Sequence, residues 1–198
     1  MSAYSFAPTP QSPAWELPPR GTVAMLSLII GESAIFTIFV VAYVFYIGKS
    51  LSGPTPQQVL EIPWLGTICL LSSSFTIWRA EHAITSGAMA RFTIWLAATI
   101  TLGVIFLAGT AQEWHKLIYQ DGLTIQTNLF GTTFYSLVGL HATHVVLGLL
   151  MLSLVLIFTL FGKVGTQHAD RIKVVALYWH FVDAVWVVVF TVVYIVGR

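Results

Sequence analysis

The sequence predicts an all-α polytopic membrane protein: a bundle of five transmembrane helices with the N-terminus inside and the C-terminus outside. Of its 198 residues, 57% are hydrophobic and 9% are charged. An average soluble domain is about 45–50% apolar and about 25% charged. Five apolar runs are also long enough to cross the hydrocarbon core of a bilayer, which is about 30 Å thick. Composition and run length together therefore favour a membrane bundle over a soluble fold.

The predicted spans follow one another after a short N-terminal segment. They lie at about 22–47, 63–82, 90–113, 129–161 and 172–196. A Gly-Pro-Thr-Pro cluster that begins at Gly53 interrupts the chain after the first span. Pro63 suits the first turn of the second helix, where its missing N–H is not needed. We expect residues 1–21 to form an irregular cytoplasmic tail and residues 22–198 to form the membrane domain.

The charges between the spans predict the orientation of the bundle. Loops that face the cytoplasm carry an excess of Lys and Arg. With the N-terminus inside, the inner segments hold Arg20, Arg79, Arg91, Lys163, Arg171 and Lys173. The outer segments hold Lys49, Lys116 and Arg198. The outer loop after the third span, with Glu113 and Lys116, is expected to be solvated.

Ionisable residues deep in the spans are the candidate functional residues. Glu32, His141 and Asp183 lie on three different spans at comparable depth. His144 and His180 each lie three residues from one of them and share its helix face. Such residues usually face protein and find a partner, so we expect a shared polar layer. His141 is the first candidate partner of Glu32, and Asp183 is the second. The layer would carry protons or, as the alternative, only stabilise helix packing.

Several functional classes are disfavoured by the residues themselves. The formal net charge of +1 provides no basic patch for nucleic acid. The single cysteine, Cys69, excludes an internal disulfide. His141 and His144 project from one helix face, whereas haem takes axial ligands from opposite faces of the ring. We therefore predict no metal site, no cofactor and no catalytic residue in this chain.

Four short segments resemble cytochrome c oxidase subunit III, in its short five-helix bacterial form. The most specific is Tyr-Trp-His-Phe-Val-Asp-Ala-Val-Trp at 178–186, which is similar to the terminal-helix signature of that family. Gly-Leu-His-Ala-Thr-His-Val at 139–145 keeps both histidines of a second family segment. Gly-Glu-Ser-Ala-Ile-Phe at 31–36 and Gly-Thr-Ala-Gln-Glu-Trp at 109–114 resemble two more. The likeness covers nearly the whole chain.

The resemblance implies a cofactor-free subunit in the bacterial plasma membrane. The expected partners are the catalytic subunit I and also subunit II, which would hold the haem and copper. The chain would then support proton uptake and the stability of the catalytic subunit, with Glu32 as the family's intramembrane glutamate. Phospholipid is a further expected ligand, and Lys163 and His168 are the candidate headgroup contacts.

Other functions stay open at the level of sequence. The equivalent subunit of a quinol oxidase or a nitric oxide reductase would have the same features, because the electron donor is a property of partner subunits. A small proton-coupled transporter could use Glu32 and Asp183, although the chain has no evident inverted repeat. A haem b membrane anchor is disfavoured by the one-sided histidines.

The isolated chain is expected to bind neither haem nor copper, because its histidines share one face and its single cysteine has no partner. Visible spectroscopy and metal analysis of the purified chain check this. Stoichiometric haem or copper in that preparation would contradict the cofactor-free interpretation.

Overall fold

The computed structural model describes residues 19–50 and 52–198, and within these the chain consists of helices joined by turns and loops. The helices are α1 Arg20–Tyr46, α2 Pro56–Val59, α3 Trp64–Thr85, α4 Met89–Tyr119, α5 Leu129–Leu160 and α6 Ala169–Phe190. A single 3₁₀ turn, Thr166–His168, leads into α6, and a π-helical segment, Thr191–Val196, continues it. The all-α prediction is confirmed for this part of the chain. Most of the expected tail, residues 1–18, lies outside the described residues, and α1 begins at Arg20.

Among the described residues, four helical segments are long and apolar enough to cross a membrane. These are Arg20–Tyr46, Met89–Tyr119, Leu129–Leu160 and Thr166–Val196. The prediction of a multi-pass membrane protein is thereby confirmed. The second predicted span corresponds to α3, which has 22 residues but includes Ser73, Thr76, Arg79 and Glu81. Ser73 and Thr76 are buried, so the hydropathy of α3 is lowered in part by side chains that face protein.

The helices form one bundle in which α5 and α6 each contact three other long helices. α6 contacts α1, α3 and α5, whereas α5 contacts α1, α4 and α6. α4 packs between α3 and α5. The turn between α3 and α4 contains Gly87 with a φ of 75°, a left-handed conformation that glycine adopts without strain. Among the described residues, α1 has close contacts only with α5, α6 and the π-helical segment, and it is the most exposed of the four spans. α5 and α6 therefore form the centre of the bundle.

The indole of Trp179 fills the space at the centre of the bundle. This side chain is fully buried, and its indole N–H donates a hydrogen bond to Ser73 Oγ at 2.8 Å. A Cβ atom on Gly148 of α5 would lie 2.8 Å from the indole, and one on Gly103 of α4 would lie 2.9 Å from it. Both distances are well inside van der Waals contact. The two glycines are thus required for α4 and α5 to approach α6 closely, as small residues do in membrane helices.

Asn128 ties the loop after α1 to the beginning of α5. Its side-chain oxygen accepts a hydrogen bond from Gly131 N at 2.8 Å and so caps the helix. Its side-chain amide donates to the backbone oxygens of Ser52 and Pro54, each at 3.1 Å. One side chain therefore holds two separate segments at this end of the bundle.

Gly103→Ala is expected to destabilise the chain by about 1–3 kcal/mol, the usual effect of overpacking a close-packed core. The reason is that the new methyl group would overlap the Trp179 indole and Leu149. The control is Gly109→Ala on the same helix, because a Cβ there meets no atom within 4 Å. Unfolding in mixed detergent micelles measures both, and equal stabilities would contradict the packing described above.

Candidate functional site

Glu32 of α1 is paired with His144 of α5. The distance from His144 Nε2 to Glu32 Oε2 is 3.1 Å, and the two side chains are 9% and 24% exposed. The other ring nitrogen, Nδ1, lies 2.8 Å from the backbone oxygen of Leu140. A carbonyl oxygen only accepts hydrogen bonds, so Nδ1 carries a proton and donates. The imidazole is therefore held in place by its own helix while Nε2 faces the carboxyl group.

This geometry places a single proton between the two side chains. If the proton is on Nε2, the pair is an imidazolium and a carboxylate. If it is on Oε2, the pair is a neutral imidazole and a carboxylic acid, and the hydrogen bond remains. The Phe36 ring packs against the His144 ring with centroids 5.0 Å apart and shields one side of the pair. The proton can thus move between Nε2 and Oε2 without loss of the hydrogen bond, whereas its release would leave two acceptors facing each other.

The expected partnership between Glu32 and His141 is wrong. His141 is fully buried, and neither of its ring nitrogens has a hydrogen-bond partner among the described residues. Its ring stacks on Trp186 with centroids 5.0 Å apart and meets the edge of Phe106 at 5.9 Å. Residues three apart on a helix are rotated by about 60° from each other. That rotation lets His144 face α1, whereas His141 lies among aromatic side chains of α1, α4 and α6.

Asp183 and His180 of α6 both bond to Ser74 of α3. The Ser74 hydroxyl donates to Asp183 Oδ2, and Ser74 Oγ lies 3.2 Å from His180 Nδ1. Asp183 is only 3% exposed, and its Oδ1 has no hydrogen-bond partner within the described part of the chain. Ser74 was not among the candidate residues that the sequence indicated. The available signal was a deep aspartate with no Lys or Arg within one helical turn of it.

The polar residues therefore form two separate groups instead of one shared layer. Glu32 and His144 lie between α1 and α5, whereas Ser74, His180 and Asp183 lie between α3 and α6. Further hydrogen bonds join Trp186 Nε1 to Thr67 at 3.2 Å and Thr76 to Thr99 at 2.8 Å. These bonds link α3 to α6 and to α4, which explains why the α3 sequence is less apolar than its neighbours.

The segment that follows residue 113 is not the solvated loop that was expected. α4 continues to Tyr119, so Glu113 lies within a helix, and Tyr194 OH donates to its two carboxyl oxygens at 3.0 and 2.9 Å. Tyr194 is 1% exposed. One turn further on, Lys116 forms an ion pair with Glu61, and this ion pair lowers the pKa of the Glu61 carboxyl below its usual value. The prediction failed because the run of apolar residues ends before the helix does.

The candidate headgroup residues lie at the opposite end of the bundle from Glu113. Lys163 is exposed in the turn after α5. His168 ends the 3₁₀ turn, and its Nδ1 accepts a hydrogen bond from Gly165 N at 3.2 Å. Across residues 19–50 and 52–198, no group of three or more His, Cys, Asp or Glu side chains has the arrangement of a metal site.

Comparisons with known proteins agree on one family. Residues 22–198 match the family model for cytochrome c oxidase subunit III. Cytochrome c oxidase subunit 3 of Alkalihalophilus pseudofirmus is 35% identical over 169 residues, which cover 84% of this chain and 82% of that protein. Its counterpart in Synechocystis sp. is 38% identical over 175 residues, covering 84% of this chain and 72% of that protein. The cytochrome bo(3) ubiquinol oxidase subunit 3 of Pseudomonas aeruginosa is 33% identical over 172 residues, which cover 85% of this chain and 81% of that protein.

A double-mutant cycle should detect energetic coupling between Glu32 and His144 but not between Glu32 and His141. We expect Glu32→Gln and His144→Phe to couple by about 0.5–3 kcal/mol, the range for residues in direct contact. Glu32→Gln and His141→Phe should add to within about 0.5 kcal/mol. Unfolding in mixed micelles measures each variant. Coupling of Glu32 to His141 instead would contradict the pairing.

Proposed function

The chain belongs to the cytochrome c oxidase subunit III family, and we propose that it is the cofactor-free subunit III of a haem–copper terminal oxidase in a bacterial plasma membrane. Its partners would be the catalytic subunit I and subunit II, which would supply the haem and copper. In this role it would support proton uptake and the stability of the catalytic subunit during oxygen reduction. The family match along residues 22–198 is the observation that carries the proposal.

The proposed topology has five spans, with the N-terminus inside and the C-terminus outside. α3 has 22 residues and would be about 33 Å long at 1.5 Å per residue, which is enough to cross the hydrocarbon core. It packs along α4 and α6, both of which belong to the membrane-capable segments. Its buried polar side chains face these neighbours, so they need not meet lipid. The distribution of Lys and Arg among the loops supports the orientation.

The Glu32–His144 pair is the proposed proton-holding group of this subunit. The proposal is supported by the hydrogen bonds of His144, which require one proton between His144 Nε2 and Glu32 Oε2. The Glu32 side chain is 24% exposed, and in the part of the chain that the structure describes its helix has close contacts only with α5, α6 and the π-helical segment. A proton on this pair could thus be exchanged at the edge of the bundle, where a partner subunit would pack.

The proposal covers two electron donors, because relatives named as subunits of a cytochrome c oxidase and of a ubiquinol oxidase have similar identity to this chain. Assays of the purified complex with reduced cytochrome c and with quinol identify the donor.

A proton-coupled transporter is the alternative of a different class. Purification in mild detergent distinguishes the transporter from an oxidase subunit, because an oxidase subunit co-migrates with haem-containing subunits and a transporter does not.

Lipid contacts are a further part of the proposal. Lys163 is exposed beside the α5–α6 turn, where its ammonium group could meet a phospholipid phosphate at the membrane surface. His168 is the second candidate, with its Nε2 left available after Nδ1 bonds to Gly165.

In the assembled oxidase, Glu32→Gln is expected to slow proton uptake or shorten the catalytic lifetime several-fold without changing the haem spectra. The amide keeps the shape and the hydrogen bonding of the carboxyl group but cannot release a proton. Turnover, inactivation rate and the pH profile of the complex are the measurements.

The matched control is Asp170→Asn, which removes a carboxylate whose side chain is 75% exposed and bonded to Lys173. It should behave like the wild type. If Glu32→Gln also leaves turnover, lifetime and pH profile unchanged, then Glu32 has a packing role only. A colourless oligomer without haem-containing partners would instead contradict the oxidase assignment.

A further inference from the structure

A cavity of about 540 Å³ opens between α1, α3 and α6, at the end of α3 and the beginning of α6. Its lining combines polar and apolar side chains: Thr22, Glu81, His82, Thr85, Lys173, Val174, Leu177 and His180. The titratable or charged groups that face it are Glu81 and His82 from α3 and Lys173 and His180 from α6, while α1 contributes the uncharged Thr22. A cavity of this size and polarity suits several water molecules.

From this cavity, a chain of hydrogen bonds leads into the centre of the bundle. His180 lines the cavity, and its Nδ1 lies 3.2 Å from Ser74 Oγ. The Ser74 hydroxyl bonds in turn to Asp183 Oδ2. Asp183 is 3% exposed, so the side chains of His180 and Ser74 connect a surface cavity to a buried carboxyl group.

The direction of these hydrogen bonds follows from the number of protons that each group carries. A serine hydroxyl has one proton, and here that proton is donated to Asp183 Oδ2. The lone pair on Ser74 Oγ must then accept from His180 Nδ1–H, so His180 Nε2 is the nitrogen left for the cavity. If Asp183 is protonated, every donor and acceptor in the chain reverses and the same hydrogen bonds persist. The chain thus has two states that differ by one proton.

We propose that His180 and Ser74 form a proton relay that loads Asp183 from water in the cavity. His180 Nε2 accepts a proton from a hydronium ion in the cavity, which leaves neutral water, the Nδ1 proton passes to Ser74 Oγ, and the Ser74 proton passes to Asp183 Oδ2. The imidazole ends neutral with its proton on Nε2, the hydroxyl is restored, and the carboxylate becomes a carboxylic acid. One proton has moved from the cavity to Asp183, and no bond between heavy atoms has changed.

A purely structural role accounts less well for this arrangement. The Ser74 hydroxyl alone would hold Asp183 Oδ2 in place, yet it also bonds to a histidine that reaches the cavity. Asp183 Oδ1 has no hydrogen-bond partner within the described residues, and an unpaired buried oxygen is costly when the group is ionised. Protonation of Asp183 relieves this cost. The use of the loaded proton by an oxidase rests on the proposed function, whereas the relay itself does not.

Infrared spectroscopy of the full-length chain in lipid nanodiscs tests the relay without partner subunits. The chain has three aspartates, Asp121, Asp170 and Asp183, so carboxyl-labelled [13C]aspartate separates their bands from those of the glutamates. A carboxylic-acid C=O band that disappears in Asp183→Asn reports protonated Asp183. The exchange rate of that band after transfer to D2O reports access from the cavity.

We expect Ser74→Ala and His180→Gln to keep this band but to slow its exchange by about tenfold or more, as when a positioned proton donor is lost. The Gln amide of His180→Gln still donates to Ser74 but cannot take up and release a proton, so this variant preserves the fold if Ser74→Ala does not. Ser74→Thr retains the hydroxyl and should exchange like the wild type. Ser72→Ala is the matched control on the same helix, because Ser72 is exposed.

Two results would overturn the relay. One is the absence of an Asp183 acid band at every pH at which the chain stays folded. The other is exchange at the wild-type rate in both Ser74→Ala and His180→Gln. Neither result bears on whether the chain assembles with haem-containing subunits, so failure of the relay and failure of the proposed function are distinguishable.

Discussion

The packing of the Trp179 indole between Gly103 and Gly148 is the contact on which the rest of the bundle depends. In lipid, helices gain little from burying apolar surface against one another, so association relies on close packing and interhelical hydrogen bonds. Trp179 provides close packing because its ring fills the space beside Gly103 and Gly148, which have no Cβ atom. It also provides an interhelical hydrogen bond, because its indole N–H donates to Ser73 Oγ. One side chain of α6 thereby contacts α3, α4 and α5, and it determines the rotation of α6 within the bundle.

That rotation decides where the ionisable side chains of α6 point. Asp183 is four residues after Trp179 and lies on the same side of the helix, so it also faces α3 and meets Ser74. His180 is one residue after Trp179, about 100° further around the helix, which brings it to the cavity between α1, α3 and α6. The site is thus a consequence of core packing: a change at Gly148 that displaces the indole would also move the carboxyl group away from Ser74.

Sequence reasoning identified the helical membrane fold and the deep ionisable residues, because both follow from composition and from depth along a span. It did not identify their partners, since a partner is set by helix rotation and by residues on other helices. His141 and His144 have nearly the same depth, and a rotation of about 60° decides which of them meets Glu32. The partner of Glu113 was missed for a related reason: its tyrosine lies 81 residues away in sequence, near the end of the chain.

His141 separates the two ionisable groups of the bundle. Its ring lies among Phe36, Phe106 and Trp186, and its nitrogens have no hydrogen-bond partner within residues 19–50 and 52–198. A proton moves along continuous hydrogen bonds, and aromatic faces offer none that can relay it. The relay proposed for Asp183 opens to the cavity beside His180, whereas Glu32 lies at the exposed side of α1. Variants of the two groups should then act independently, because no side-chain hydrogen bond in the described part of the chain joins one group to the other.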